Sequence, residues 1–169
     1  YAVNEAVTSG DRKEIAINGT DYYVECSSPA LGSELVTNGT FDTDVSGWTV
    51  DAADSLTQVS GRAELFDATA VGYAYSSVVT EIGKQYNLQF SVETTATSWH
   101  ISLGTSSIGK DVYSAGWPTS RTDTRTITFV AASSVTYVAL GTNVGATYFD
   151  NVSVKEVGLT SATEPDWYN

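Results

Sequence analysis

The chain reads as an all-β protein: a β-sandwich jelly roll with an N-terminal β-hairpin arm and a short C-terminal tail. Three observations predict this. Val, Ile, Thr, Tyr and Phe dominate, while Met is absent and Lys plus Arg number 8 in 169 residues, a composition that favours strands over helices. Short runs alternate apolar and polar residues between turn signals, the pattern of half-buried strands. About eight or nine such runs follow one another, which is a jelly-roll count.

Taken in order, the first element is a hairpin. Asn18-Gly19 lies between Ile15-Ala16-Ile17 and Asp21-Tyr22-Tyr23-Val24, and Asn-Gly between strand-like runs is the strongest short-range hairpin signal. Ser27-Ser28-Pro29-Ala30-Leu31-Gly32-Ser33 reads as a linker, so residues 1–33 form an arm and residues 34–157 the main domain. Within the domain, Tyr86, Leu88, Phe90 and Val92 share one strand face, with Asn87, Gln89, Ser91 and Glu93 on the other. The same alternation places strands near 61–67, 74–82, 99–104, 124–131, 134–141 and 148–157, with Ile127 and Phe129 facing in and Thr126 and Thr128 out. Residues 158–169 carry Pro165 and Trp167-Tyr168 in a polar stretch and read as a docking arm or a loose end.

Charge and composition exclude several functions. The formal net charge is −12, which repels phosphate backbones and anionic lipid, so no nucleic-acid partner is expected. No apolar run reaches the ~18 residues of a membrane span, so no membrane insertion is expected. A chain that starts at Tyr1 and contains no Met reads as a mature form or part of something longer. Few charges and abundant Ser, Thr and Gly suit an extracellular or virion protein. Cys26 has no partner in the chain and reads as a small, half-buried hydrophobe.

Catalysis is not expected. His100 is the single imidazole, it lies in a strand pattern, and neither a Gly-x-Ser-x-Gly elbow nor a cysteine nucleophile accompanies it. Twenty acidic residues always offer carboxylate pairs, so such pairs carry no signal for glycoside hydrolysis.

Calcium is the better candidate. The loop from Asn38 to Trp48 puts Asp42 and Asp44 at alternate positions between glycines, offering the hard oxygen ligands that this ion takes. It is not an EF-hand, because position twelve counted from Asp42 is Ala53 rather than Glu. The competing reading is an Asx-rich turn bonded to its own backbone. Alternation in Tyr148–Val154 puts Asp150 in line with Val152 and Val154, and an acid among core positions needs a partner or an ion.

The motifs Asn38-Gly39-Thr40-Phe41-Asp42, Ser46-Gly47-Trp48-Thr49 and Phe149-Asp150-Asn151-Val152-Ser153-Val154, with Gly83-Lys84-Gln85-Tyr86-Asn87-Leu88-Gln89-Phe90-Ser91-Val92 between them, resemble the carbohydrate-binding modules of families four and nine, within the galactose-binding-like β-sandwiches. Such modules occur in phage tail and fibre proteins and in exported glycoside hydrolases. The resemblance covers roughly residues 34–157. It implies a structural calcium held by the Thr40 carbonyl, Asp42 and Asp150, with a further ligand near Glu64 or Asp67.

Sugar binding relies on aromatic faces stacking on pyranose C–H faces. Trp48 matches a core position of the resembled modules. Trp99, Trp117, Tyr113 and Tyr75 are therefore the candidate platforms, with Tyr73 beside them and Gln89, Glu93, His100 and Arg121 as hydrogen-bonding groups. The resulting expectation is a non-catalytic glycan-binding module with structural calcium. The alternative is a structural subunit of a phage tail, fibre, capsid or other extracellular assembly, using the same fold without sugar and forming a homo-oligomer or larger assembly through its terminal arms.

Overall fold

The computed structural model describes residues 12–17, 20–25, 30–118 and 122–158. By Cα packing the chain divides into Gly32–Val157 and a second unit of Tyr1–Leu31 with Gly158–Asn169. In the second unit, β1 (Arg12–Ile17) and β2 (Thr20–Glu25) pair antiparallel from Arg12 opposite Glu25 to Ile17 opposite Thr20, as the hairpin signal requires. The turn Asn18-Gly19, Cys26, Arg121 and the tail aromatics Trp167 and Tyr168 lie outside the described residues.

The main unit is built on nine strands: β3 (Leu31–Glu34), β4 (Thr49–Asp51), β5 (Ser55–Gln58), β6 (Ala63–Val79), β7 (Gln85–Thr94), β8 (Ser98–Gly104), β9 (Tyr113–Pro118), β10 (Thr122–Val130) and β11 (Val135–Val157). Two of them, β6 and β11, are long enough to serve both layers of a sandwich. Their first contact runs from Val79–Val135 to Val71–Asn143, and it resumes from Asp67–Gly145 to Ala63–Phe149 after a register shift. The front half of β11 pairs with β8, and β8 with β9. The back half of β11 pairs with β7, and β7 with β10. One layer is thus β9-β8-β11-β6-β4 and the other β10-β7-β11-β6-β5, with β3 added on β11. The runs expected at 61–67 and 74–82 are one strand, as are those at 134–141 and 148–157. Residues 31–34 and 113–118, read from sequence as linker and loop, are strands.

The bend between the layers has a local cause. In β11, Val144 has φ 46 and Gly145 φ 127. In β6, the Asp67 carboxylate accepts the N–H groups of Thr69 at 2.9 Å and Ala70 at 2.7 Å, turning the strand as an Asx motif. Bending strands frees polar groups that burial would penalise. Buried hydroxyls take them up: Thr147 lies 2.7 Å from Thr94 and 2.9 Å from Thr142, and Thr142 donates to the Gly145 carbonyl at 3.1 Å.

The core fills the space between the layers. Tyr86, Leu88, Phe90 and Val92 of β7 and Ile127 and Phe129 of β10 face Ile101 and Leu103 of β8 and Val138 and Leu140 of β11, as strand alternation dictates. Trp48 is buried against Phe41, ring centroids 5.5 Å apart. The Asn-Gly turn before Phe41 closes the sandwich. Asn38 takes φ 52, and Gly39 approaches the last strand so closely that its carbonyl accepts the Val152 N–H at 2.9 Å, while a Cβ there would meet the Val152 carbonyl oxygen at 1.9 Å.

Candidate functional site

Strand parity decides where each expected site residue stands. Trp99, Ile101 and Leu103 have inward parity on β8, and Trp99 is 1 % exposed. Its edge meets Phe90 at 5.8 Å, and its face stacks on Trp117, its cross-strand partner on β9, at 4.2 Å. The Arg125 guanidinium lies 4.5 Å from the centre of the Trp117 ring and is itself paired with Asp123 at 2.7 Å. Tyr113 shares this inward parity and packs against the core. The expectation that Trp99 forms an exposed platform is therefore corrected, since it is sealed in the core; Trp117 and Tyr113 share its inward parity and are half-buried, with Arg125 over the Trp117 ring. The apolar residues at 101 and 103 carried the signal for Trp99, since a tryptophan in phase with them belongs to the core.

The opposite face of the same strands is different. Reading across β4, β6, β11, β8 and β9, one row is Asp51, Tyr73, Gly141, His100 and Gly116, and the next is Thr49, Tyr75, Ala139, Ser102 and Ser114. Tyr137 stands opposite Ser77 and Gly104 and meets Tyr75 edge-on at 6.0 Å. Tyr73, Tyr75, Tyr137 and His100 are all half-buried. Gly141 makes the floor low: a Cβ there would lie 2.7 Å from the Tyr73 ring and 3.0 Å from the His100 Cβ. His100 is fixed from the side by Ser98, whose Oγ lies 3.2 Å from its Nε2, and Asn143 donates to the same Oγ at 3.3 Å. Burial, assisted by the nearby Lys110 charge, holds the His100 pKa below its ordinary value, so the ring is neutral at neutral pH. Tyr75 stands half-buried on this outer face, with Tyr73 and His100 beside it. Sequence reasoning passed over Tyr137, although its alternation with Val138 and Leu140 marks it as outward. Nothing in the sequence marked Lys110, which comes from the loop after β8.

The expected calcium ligands are only partly brought together. Asp150 is not in line with Val152 and Val154: a bulge between Asp150 and Ser153, with Asn151 at φ 52, reverses the parity, so Phe149, Val152 and Val154 face in. The Asp150 carboxylate instead accepts the backbone and side-chain nitrogens of Asn151 at 2.7 and 2.9 Å. Asp42 accepts the Thr40 hydroxyl at 2.7 Å, and Gln58 donates to the Asp42 carbonyl at 3.3 Å. Asp67 is 3 % exposed and engaged by Thr69 and Ala70, four residues along β6 from Ala63, which pairs with Phe149, or about 13 Å of strand. It does not fit a site with Asp150. Asp44 follows the Asx-turn reading: Oδ1 accepts the Ser46 N–H at 2.9 Å and Asn38 Nδ2 at 2.8 Å. Among the described residues no three His, Cys, Asp or Glu side chains gather as a metal cluster. What remains for an ion is the pairing of the Gly39–Asp42 turn with the last strand, a partial fit to the 6–8 oxygens that calcium takes.

No protein-family model and no curated protein matches the chain. Solved structures match its fold. A family-4 carbohydrate-binding module superposes with TM-score 0.61 at 16% identity, over 72% of this chain and 99% of that one. The N-terminal cellulose-binding domain of Cellulomonas fimi β-1,4-glucanase C gives 0.60 at 19% identity, over 75% and 100%. The enzymatically active domain of bacteriophage CBA120 tailspike protein 4 gives 0.56 at 16%, over 73% of this chain and 21% of that one. The fold is the β-sandwich that carbohydrate-binding modules share. No helix among the described residues is long and apolar enough to cross a membrane.

Proposed function

We propose that the chain is a non-catalytic glycan-binding module whose binding surface is the outer face of β4-β6-β11-β8-β9. The observation that carries this reading is the arrangement of Tyr73, Tyr75 and Tyr137 beside His100 over the low floor at Gly141. Aromatic faces next to fixed polar groups suit a pyranose, which has an apolar C–H face and a rim of hydroxyls. Kinship of fold with a cellulose-binding domain supports the same reading, and the tailspike neighbour supports a setting on an exported protein or a virion. The test is retention of the full chain in gels or on arrays of immobilised polysaccharides. The wild type is expected to be retained, and Tyr73→Ala with Tyr75→Ala to abolish retention without loss of fold. Equal retention of the double variant, or none by the wild type on any glycan, overturns the reading.

A structural calcium belongs to the proposal as a tie between the first turn and the last strand. Asp42, the Thr40 carbonyl and Asp150 would hold it, and Asp67 is left out of the set. The contact between Gly39 and Val152 supports this placement. The expected result is a chelator-induced fall in melting temperature that Asp150→Ala removes; a wild type indifferent to chelator refutes the ion.

A further inference from the structure

Lys110 is the outstanding charge on this face. Its Nζ lies 5.7 Å from the centre of the Tyr73 ring, and its charge is felt at His100, so the cation stands by the two rings that flank Gly141. Elsewhere in the main unit Arg62 pairs with Glu93, Lys84 with Glu81 and Glu156, and Arg125 with Asp123, while Lys155 stands on the back half of β11 opposite Asn87; on the outer face of β8, among the described residues no carboxylate lies within 4.0 Å of Lys110. The adjacent Asp111 is turned to its own loop, accepting the Thr105 N–H at 3.1 Å. Asp51, on β4 opposite Tyr73, is the acid on the flank of this face.

The hydrogen-bonding inventory leans the same way. Lys110 can only donate. Sugar hydroxyls both donate and accept, whereas a carboxylate only accepts, so an uncompensated, donor-only cation beside the tyrosine rings favours the carboxylate. We propose that this face takes a sugar that carries a carboxylate, a uronic acid residue, with Lys110 as its counter-ion; the inference rests on the glycan-binding reading above. The net charge of −12 opposes a polyanion at long range, but that repulsion is screened beyond about 8 Å at physiological salt, and a contact pair is screened much less.

The test is calorimetric titration of the full chain with short oligosaccharides of polygalacturonate, alginate and hyaluronan, each beside its carboxyl-reduced neutral counterpart. At least one acidic oligosaccharide is expected to bind about fivefold more tightly than its reduced form, the most that a largely exposed ion pair usually supplies. Lys110→Gln should bring that ratio to about one, and an unchanged melting temperature will show the fold intact. Equal affinity for the acidic and reduced forms, a preference that persists in Lys110→Gln, or binding confined to neutral glycans overturns this inference and leaves the module reading standing. Binding to no glycan at all overturns both.

Discussion

The inner seam and the outer face of the β8 layer are made from neighbouring residues, yet they meet opposite fates. Trp99 and His100 are adjacent in sequence; one is sealed between Phe90 and Trp117, and the other stands by Tyr73 on the half-open floor. Trp117 has one face on Trp99 and Arg125 over its ring, and is half-buried. Tyr73 and Tyr75 lean on glycine, alanine and each other's neighbours and keep part of their surface free. Large aromatic area is therefore a poor guide to binding in a sandwich, since the largest rings are recruited first to the core. The buried seam and the proposed binding surface lie on opposite faces of the same strands.

Substitutions separate the two. The largest effect is expected for Trp99→Ala, which empties a fully enclosed site and should cost about 3–5 kcal/mol, read as a lower denaturant midpoint or failure to fold. If Trp99→Ala instead folds with near-native stability and loses only glycan retention, the assignment of the two faces is reversed. Next is Glu34, whose carboxylate accepts the Leu35, Val36 and Val154 N–H groups at 3.0, 2.9 and 2.9 Å and the Ser153 hydroxyl, clipping β3 to β11 on the other layer. Burial pushes this carboxyl up, but the hydrogen bonds outweigh it and hold its pKa below the ordinary 4.5. Its contribution to stability is thus complete above about pH 4.5 and is lost as pH falls through the lower folded value. Glu34→Gln should flatten that part of the acid-stability curve while leaving glycan retention as it was.

Arg125→Ala should cost about 1 kcal/mol through the lost contact with Trp117, measured by chemical denaturation, again with retention unchanged. Tyr73→Ala and Tyr75→Ala should move stability by about 1 kcal/mol or less and retention greatly, the mirror image of the tryptophan variant. The smallest effect is a titration. As the single histidine, His100 gives one imidazole signal, and its pKa should lie below 6.5 because burial and the Lys110 charge both disfavour the cation. Its neutral form is the one the fold favours, so its contribution is present above about pH 6.5 and fades as pH falls through the lower folded value. Lys110→Gln should raise that pKa; an unchanged value would separate Lys110 from the face.

Much of the fold was legible because alternation is a local property. Tyr86 to Val92, Ile127 and Phe129 point where their spacing says, and β1 pairs antiparallel with β2 up to Ile17 opposite Thr20. The candidate site was less so. Asp150 was assigned to the wrong face because one extra residue at Asn151 reverses parity, and no count of apolar positions anticipates a bulge held by a distant turn. Trp117 read as a loop residue because Gly116 and Pro118 flank it, although β9 can carry Pro118 at its last position, on an edge strand that pairs with β8 alone. Lys110 escaped notice because only the path of the loop brings it to Tyr73.

By itself, then, the sequence determined that this chain makes strands and, where no bulge intervenes, which residues of a strand share a face, because φ/ψ preferences and a two-residue period act over a few residues. Only the tertiary structure decided that residues 113–118 form an edge strand on β8, that β6 and β11 bend through both layers, and which tyrosines stand together on the outer face. Those choices depend on contacts between residues far apart in the chain: Phe90 and Arg125 close over the tryptophans, and Val152 receives Gly39.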